Sequence, residues 1–101
     1  MKNVLVLFEF PNVTLAQYDQ CWADLRASGN DQPQGLISHM GAQNGTGLVV
    51  VDQWESAEDF AAFGNTLMPI LAKNNIPKTE PRILPVHYAH KVKARTAAGV
   101  N

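Results

Sequence analysis

Apolar residues along this chain recur in two periods, and the switches between them mark the elements. Residues 2–10, KNVLVLFEF, carry β-branched and aromatic side chains with little interruption and stop at Pro11-Asn12, the pattern of a strand running into a turn. From Thr14 the period lengthens. Leu15, Tyr18, Trp22 and Leu25 follow at steps of three, four and three, and Thr14 with Gln17 has capping-box spacing, so the sequence predicts an amphipathic helix over 15–28. Residues 28–35, SGNDQPQG, are dense in turn formers and follow neither period, which makes them a loop.

Two further strand-like segments, GLISHMGAQ and TGLVVVDQW, flank Asn44-Gly45, a pair that tolerates the positive φ angles of a type I′ hairpin turn. Ser56 is suited to cap a second helix, with Glu58 and Asp59 in the first turn, where the helix dipole favours negative charge. Phe60, Phe63, Leu67, Ile70 and Leu71 continue at helical spacing, but Gly64 and Pro69 predict a break or kink between them. RILPVHYAH, residues 82–90, reads as a last strand, at a sheet edge because Pro85 has no N–H to donate. Residues 91–101, KVKARTAAGVN, lack a pattern and are expected to form a flexible basic tail behind a domain of residues 1–90.

The order strand, helix, strand, strand, helix, strand predicts an α+β fold of the ferredoxin-like β-α-β-β-α-β type, with a four-stranded antiparallel sheet and the first and third strands in its middle. VLVLF and GLVVV are apolar on both faces, whereas two helices cover only one. The other face then needs a cover from outside the monomer, and a second copy of the chain is the expected partner.

Composition narrows the function. The 101 residues suit one domain, and 46% hydrophobic against 17% charged residues is a balance that can fold. Residues 1–90 hold five basic and nine acidic groups, a net of −4, with no clustered basic face, which argues against nucleic acid as a partner. The lone Cys21 cannot form an intrachain disulfide, and a reducing cytoplasm fits it. The N-terminal apolar run contains Glu9 and lacks a small-residue cleavage site, so it reads as a strand and not a signal peptide. No run is long enough to span a bilayer, and no membrane association is expected. The histidines, His39, His87 and His90, follow no metal-ligand spacing, and GxGxxG, GxxxxGK[ST] and GxSxG are absent, so no metal site and no familiar cofactor is expected.

The strand and helix spacing, the segment GLISH, the run VVDQWES followed by Phe60, and LMPIL ahead of a strand containing VH resemble the dimeric α/β barrel superfamily over residues 2–90. Within it the chain is most similar to the branch of uncharacterised proteins related to antibiotic-biosynthesis monooxygenases. That resemblance implies two sheets packed face to face as a homodimer. It also implies a cofactor-free monooxygenase acting on an aromatic or polyketide-like substrate, or else an isomerase or cyclase using the same pocket, or a non-catalytic binding protein for a small aromatic ligand. Heme-degrading members hold iron with a histidine on the second helix, and EDFAAFGN has none.

Counting outward from Asn44-Gly45 sets His39 opposite Val50, Ile37 opposite Asp52 and Gly35 opposite Trp54, all on one face, with His39 and Asp52 as diagonal neighbours. For this shared face the resemblance implies a candidate site with His39 as a base steered by Asp52 and Trp54 as the substrate shelf; Tyr18 and Trp22 from the first helix and His87 on the last strand are further candidate substrate-binding walls. An imidazole suits proton transfer near neutral pH. Each has a structural alternative: Tyr18 and Trp22 as core, Trp54 as a cap on the core, His39 as a half-buried histidine bonded to Asp52.

Overall fold

The computed structural model describes residues 2–93; Met1 and residues 94–101, and with the latter most of the expected basic tail, lie outside the described residues. The elements are β1 (Val4–Phe10), α1 (Leu15–Ala27), β2 (Leu36–Asn44), β3 (Gly47–Trp54), α2 (Ala57–Lys73) and β4 (Arg82–Pro85). They form one sheet in the order β2-β3-β1-β4 with every neighbouring pair antiparallel. This is the ferredoxin-like arrangement, with β1 and β3 central. Among the described residues no helix is long and apolar enough to cross a membrane.

Strand alternation decides which face carries the core. Val4, Val6, Phe8 and Phe10 of β1 and Leu48, Val50, Asp52 and Trp54 of β3 are buried on the side facing the helices. Cys21 and Leu25 of α1 and Leu71 of α2 are buried too, and Tyr18, Phe60, Phe63, Leu67 and Ile70 pack against this layer half-buried. Leu15, expected at the head of the α1 stripe, is 46% exposed. The capping box at its start is formed: Gln17 N–H donates to Thr14 Oγ1 at 3.1 Å, and Thr14 N–H donates to Gln17 Oε1 at 2.8 Å. At the other end, the Asn74 amide donates to Asp24 Oδ2 at 3.0 Å and ties the two helices together. That bond, with a second from Gln20, holds the Asp24 carboxyl below the usual carboxylate range.

Three expectations need correction. The hairpin turns at Gly45-Thr46, one residue later than expected, so Asn44 pairs with Gly47 and His39 lies directly opposite Asp52. Of the two turn residues only Gly45 has positive φ (59°), which fits a type II′ turn, with glycine at its first central position. At Gly47, the first residue of β3, a Cβ would stand 2.5 Å from the Phe10 carbonyl oxygen, so glycine is what fits where β3 starts against the end of β1. The pairing moves by two in the sum of paired numbers, so each side chain keeps its face. Near the strand start Ile37 is an extra residue in a bulge, and Leu36, not Gly35, pairs with Trp54.

Second, α2 runs without a break through Gly64 and Pro69. Pro69 is exposed, and so is Asn65, whose carbonyl loses the helical partner and can bond to water instead. Phe63, Leu67, Ile70 and Leu71 meanwhile pack on the sheet side on both sides of the proline. Third, β4 ends at Pro85 instead of continuing to residue 90. Its partner β1 begins at Val4, opposite Pro85, and after the bond from Val86 N–H to Asn3 O at 2.9 Å no strand remains to pair with. His87 therefore lies outside the sheet, exposed.

If packing holds α2 together despite its proline, Pro69→Ala should stabilise the protein by about 1–3 kcal/mol, up to the propensity difference in a helix interior. Urea unfolding followed by circular dichroism measures this; an unchanged or lower midpoint would show that the ring itself makes a favourable contact.

Candidate functional site

The centre of β3 carries a carboxylate on the apolar side of the sheet. Asp52 is 7% exposed and its carboxyl oxygens lie where water is nearly absent, so their partners must come from the protein. They do. His39 Nδ1 lies 2.5 Å from Asp52 Oδ1, and Trp54 Nε1 donates to Asp52 Oδ2 at 3.1 Å. The second contact follows from strand geometry, since residues 52 and 54 share a face.

An ionised carboxylate only accepts, so the His39–Asp52 bond places a proton on Nδ1 and, in the neutral ring, leaves Nε2 as the acceptor. Tyr18 occupies that position: its hydroxyl is 2.6 Å from Nε2. The neutral chain thus runs from Tyr18 O–H to His39 and on to Asp52, which Trp54 braces from the other side. Burial pushes the Tyr18 phenol up, so it stays protonated at neutral pH. The His39 ring lies nearly parallel to the Tyr18 ring (centroids 5.9 Å apart, 11°), with which it shares the hydrogen bond, and edge-on to Trp22 (4.8 Å, 66°).

The Tyr18 hydroxyl has room only because of a glycine. A Cβ on Gly41 would lie 2.6 Å from Tyr18 Oη and 2.7 Å from Cζ. Gly41 has no positive φ, so what the position requires is space and not an unusual backbone.

This chain of groups stands on the wall of a cavity of about 70 Å³ between sheet and helices. Phe8, Phe10, Val50 and Leu67 are among its apolar walls, and Tyr18, His39 and Asp52 bring the polar atoms. Of the residues singled out from sequence, the structure brings together His39, Asp52, Trp54, Tyr18 and Trp22 on this cavity. His87 is not among them, because the strand expected to carry it stops at Pro85. Trp54 is fully buried, packed against Phe60 (5.6 Å) and Phe63 (5.5 Å), so it is a core residue that also lines the cavity. Cys21 lies on the same wall, and burial raises its thiol, which fits a packed apolar role. Among the described residues no three His, Cys, Asp or Glu side chains converge as a metal centre would need.

Sequence reasoning overlooked Phe8, Phe10 and Phe63 as walls, although the alternation of β1 and the period of α2 point to the inward face. Gly41 carries no sequence signal, because its importance depends on a ring from another element.

No protein-family model matches the chain, and no curated protein matches it. Solved structures do. It is similar to SnoaB, a cofactor-independent oxygenase from Streptomyces nogalater, with a TM-score of 0.63 at 16% identity over 88% of this chain and 97% of that one. It is equally similar to a protein from Chloroflexus aurantiacus J-10-fl provisionally designated an antibiotic biosynthesis monooxygenase, with a TM-score of 0.63 at 17% identity over 90% and 99%. At such identities the likeness is one of fold, and in fold it agrees with the resemblance read from the sequence.

Gly41→Ala should displace the Tyr18 ring from His39 while leaving the sheet intact. The loss should resemble that of Tyr18→Phe, about 0.5–1.5 kcal/mol for one net hydrogen bond, and the two changes combined should be less than additive. Denaturant midpoints of the two single variants and the double variant test this; strict additivity would show that Gly41 does not seat the hydroxyl.

Proposed function

We propose that this protein is a cofactor-free monooxygenase that binds an aromatic or polyketide-like molecule between sheet and helices. The observation that carries the proposal is the hydrogen-bonded series Asp52, His39, Tyr18 on the wall of an otherwise apolar cavity. Such a series moves a proton, and a dry aromatic surround favours a planar ligand. The shared fold with a cofactor-independent oxygenase supports the choice of reaction.

The chemistry needs little from the protein beyond proton transfer. Loss of a proton from a methylene between aromatic rings gives a carbanion rich enough in electrons to reduce O₂. Overall one methylene and one O₂ become one carbonyl and one water, so no external reductant is required. Because Nε2 of His39 faces Tyr18, the phenol oxygen is the atom placed to exchange a proton with the ligand. The Tyr18 proton passes to Nε2 as the ligand's proton arrives at the oxygen, and Asp52 stabilises the imidazolium that forms.

The working unit in this reading is a homodimer. Leu5 and Leu7 of β1, Val49 and Val51 of β3 and Met40 of β2 lie on the sheet face opposite the helices, with Met40 70% exposed. Leu84 extends the same face on β4 and is 39% exposed. A two-fold copy laid on this face covers it with the same patch from the other subunit. Burial of ~800 Å² per subunit is enough for a stable pair.

Oxygen uptake with anthrone as substrate tests the reaction. The expected result is one O₂ consumed per ketone formed, with His39→Ala slower by about 10²–10⁴-fold, the usual contribution of general acid–base catalysis. Conversion that proceeds equally without O₂ would point to an isomerase or cyclase, and tight binding without conversion to a binding protein.

Light scattering tests the assembly: the chain of 11.1 kDa should give twice that mass, and Val51→Lys should return it to the monomer, because the ammonium would lose its water without gaining a partner. A monomeric mass for the unaltered protein would refute the homodimer.

A further inference from the structure

The cavity at the candidate site is too small for the ligand its chemistry suits. At about 70 Å³ it falls below the roughly 150 Å³ that an apolar cavity needs to take up benzene. Beside it a groove of about 290 Å³ runs between α2 and the loop leading into β2. Phe63 lines both spaces, and among the described residues it is the one that the two share. Its ring packs on Trp54 at 5.5 Å, and the same residue borders the groove. If the ring swings outward, the two spaces join. Their combined size then enters the range of roughly 300–1,000 Å³ typical of small-molecule sites.

The groove differs in character from the cavity. Asn30, Gln34 and Thr66 provide amide and hydroxyl groups, Asp59 provides a carboxylate, and no Lys or Arg lines it. Such a surface accepts hydrogen bonds from hydroxyl groups and repels an anion. Asp59 is fixed there by its place in the first turn of α2, where its N–H donates to Ser56 Oγ at 3.0 Å.

We infer that cavity and groove are two halves of one binding site divided by Phe63, and that the ligand is an aromatic ring system bearing an uncharged, hydroxylated substituent. The ring system displaces Phe63 and lies against Trp54 and Tyr18, and the substituent lies in the groove. This rests on the reading above only in placing an aromatic ring in the cavity; it does not depend on oxygen chemistry.

Titration of 1-naphthol and 1-naphthyl-β-D-glucoside by tryptophan fluorescence separates the possibilities. The glucoside should bind about tenfold more tightly than naphthol, the equivalent of one or two net hydrogen bonds. Ala62→Trp, at an exposed helical position on the groove, should remove that advantage and leave naphthol within about threefold of its original affinity, as expected for a change confined to the groove. Phe63→Ala should speed association of both ligands. Equal affinities in the unaltered protein, an advantage that survives Ala62→Trp, or no binding of either ligand to the folded protein would each overturn the inference. Failure of oxygen uptake with the binding pattern intact would instead remove the oxygenase reading and leave the two-part site standing.

Discussion

A carboxylate on the apolar side of a sheet must be paired or neutralised, and the arrangement around Asp52 follows from that requirement. Desolvating an unpaired carboxylate costs several kcal/mol. Here the oxygens are held by His39 at 2.5 Å and Trp54 at 3.1 Å. The first contact requires β2 to pair with β3 so that residue 39 is opposite residue 52, and the second requires the indole to turn its N–H back along its own strand. Once His39 is fixed in this way its free nitrogen points at α1, where Tyr18 meets it. Pairing a buried charge therefore aligns a strand, an imidazole and a phenol.

The rest of the fold supplies rigid support for that series. The inward residues of β1 and β3 form the floor, and α2 packs Phe60 and Phe63 onto Trp54, which fixes the brace on the far side of Asp52. The same packing explains why α2 tolerates Pro69. One missing backbone bond on the solvent side weighs less than the packing of the apolar stripe flanking it, in which Leu71 is buried and Phe63, Leu67 and Ile70 are half-buried; full burial of one such side chain is worth about 1.5–3 kcal/mol. The Asp24–Asn74 bond closes the helical layer at its other end.

The candidate site combines a hydrogen-bonded series with little free volume. Aromatic rings fill most of the space that a ligand would use, and they are also the groups a planar ligand would stack on. Exchanging one ring for another keeps the layer apolar and leaves the hydrogen-bonded series in place. Phe63 suits that exchange better than Trp54, which is fully enclosed and tied to Asp52 through its N–H.

Local chemistry alone was sufficient for the element order, the capping box at Thr14, the cap at Ser56, the edge position of β4 and the shared face of His39, Asp52 and Trp54. Each of these depends on residues close in sequence or on the period of two along a strand, which survived the shifted turn because the shift was even. Contacts between distant segments decided the remainder. The turn lies at Gly45-Thr46, a register that the lack of a Cβ on Gly47 beside Phe10 permits, and it sets His39 directly opposite Asp52. β4 stopped where β1 offered no further partner, which left His87 outside the site. Tyr18 reached His39 because Gly41, on a different element, leaves the space for its hydroxyl. Hydrophobic period and capping are written into consecutive residues, but the space beside a side chain is set by whichever segment packs there, and that is decided only when the chain has closed on itself.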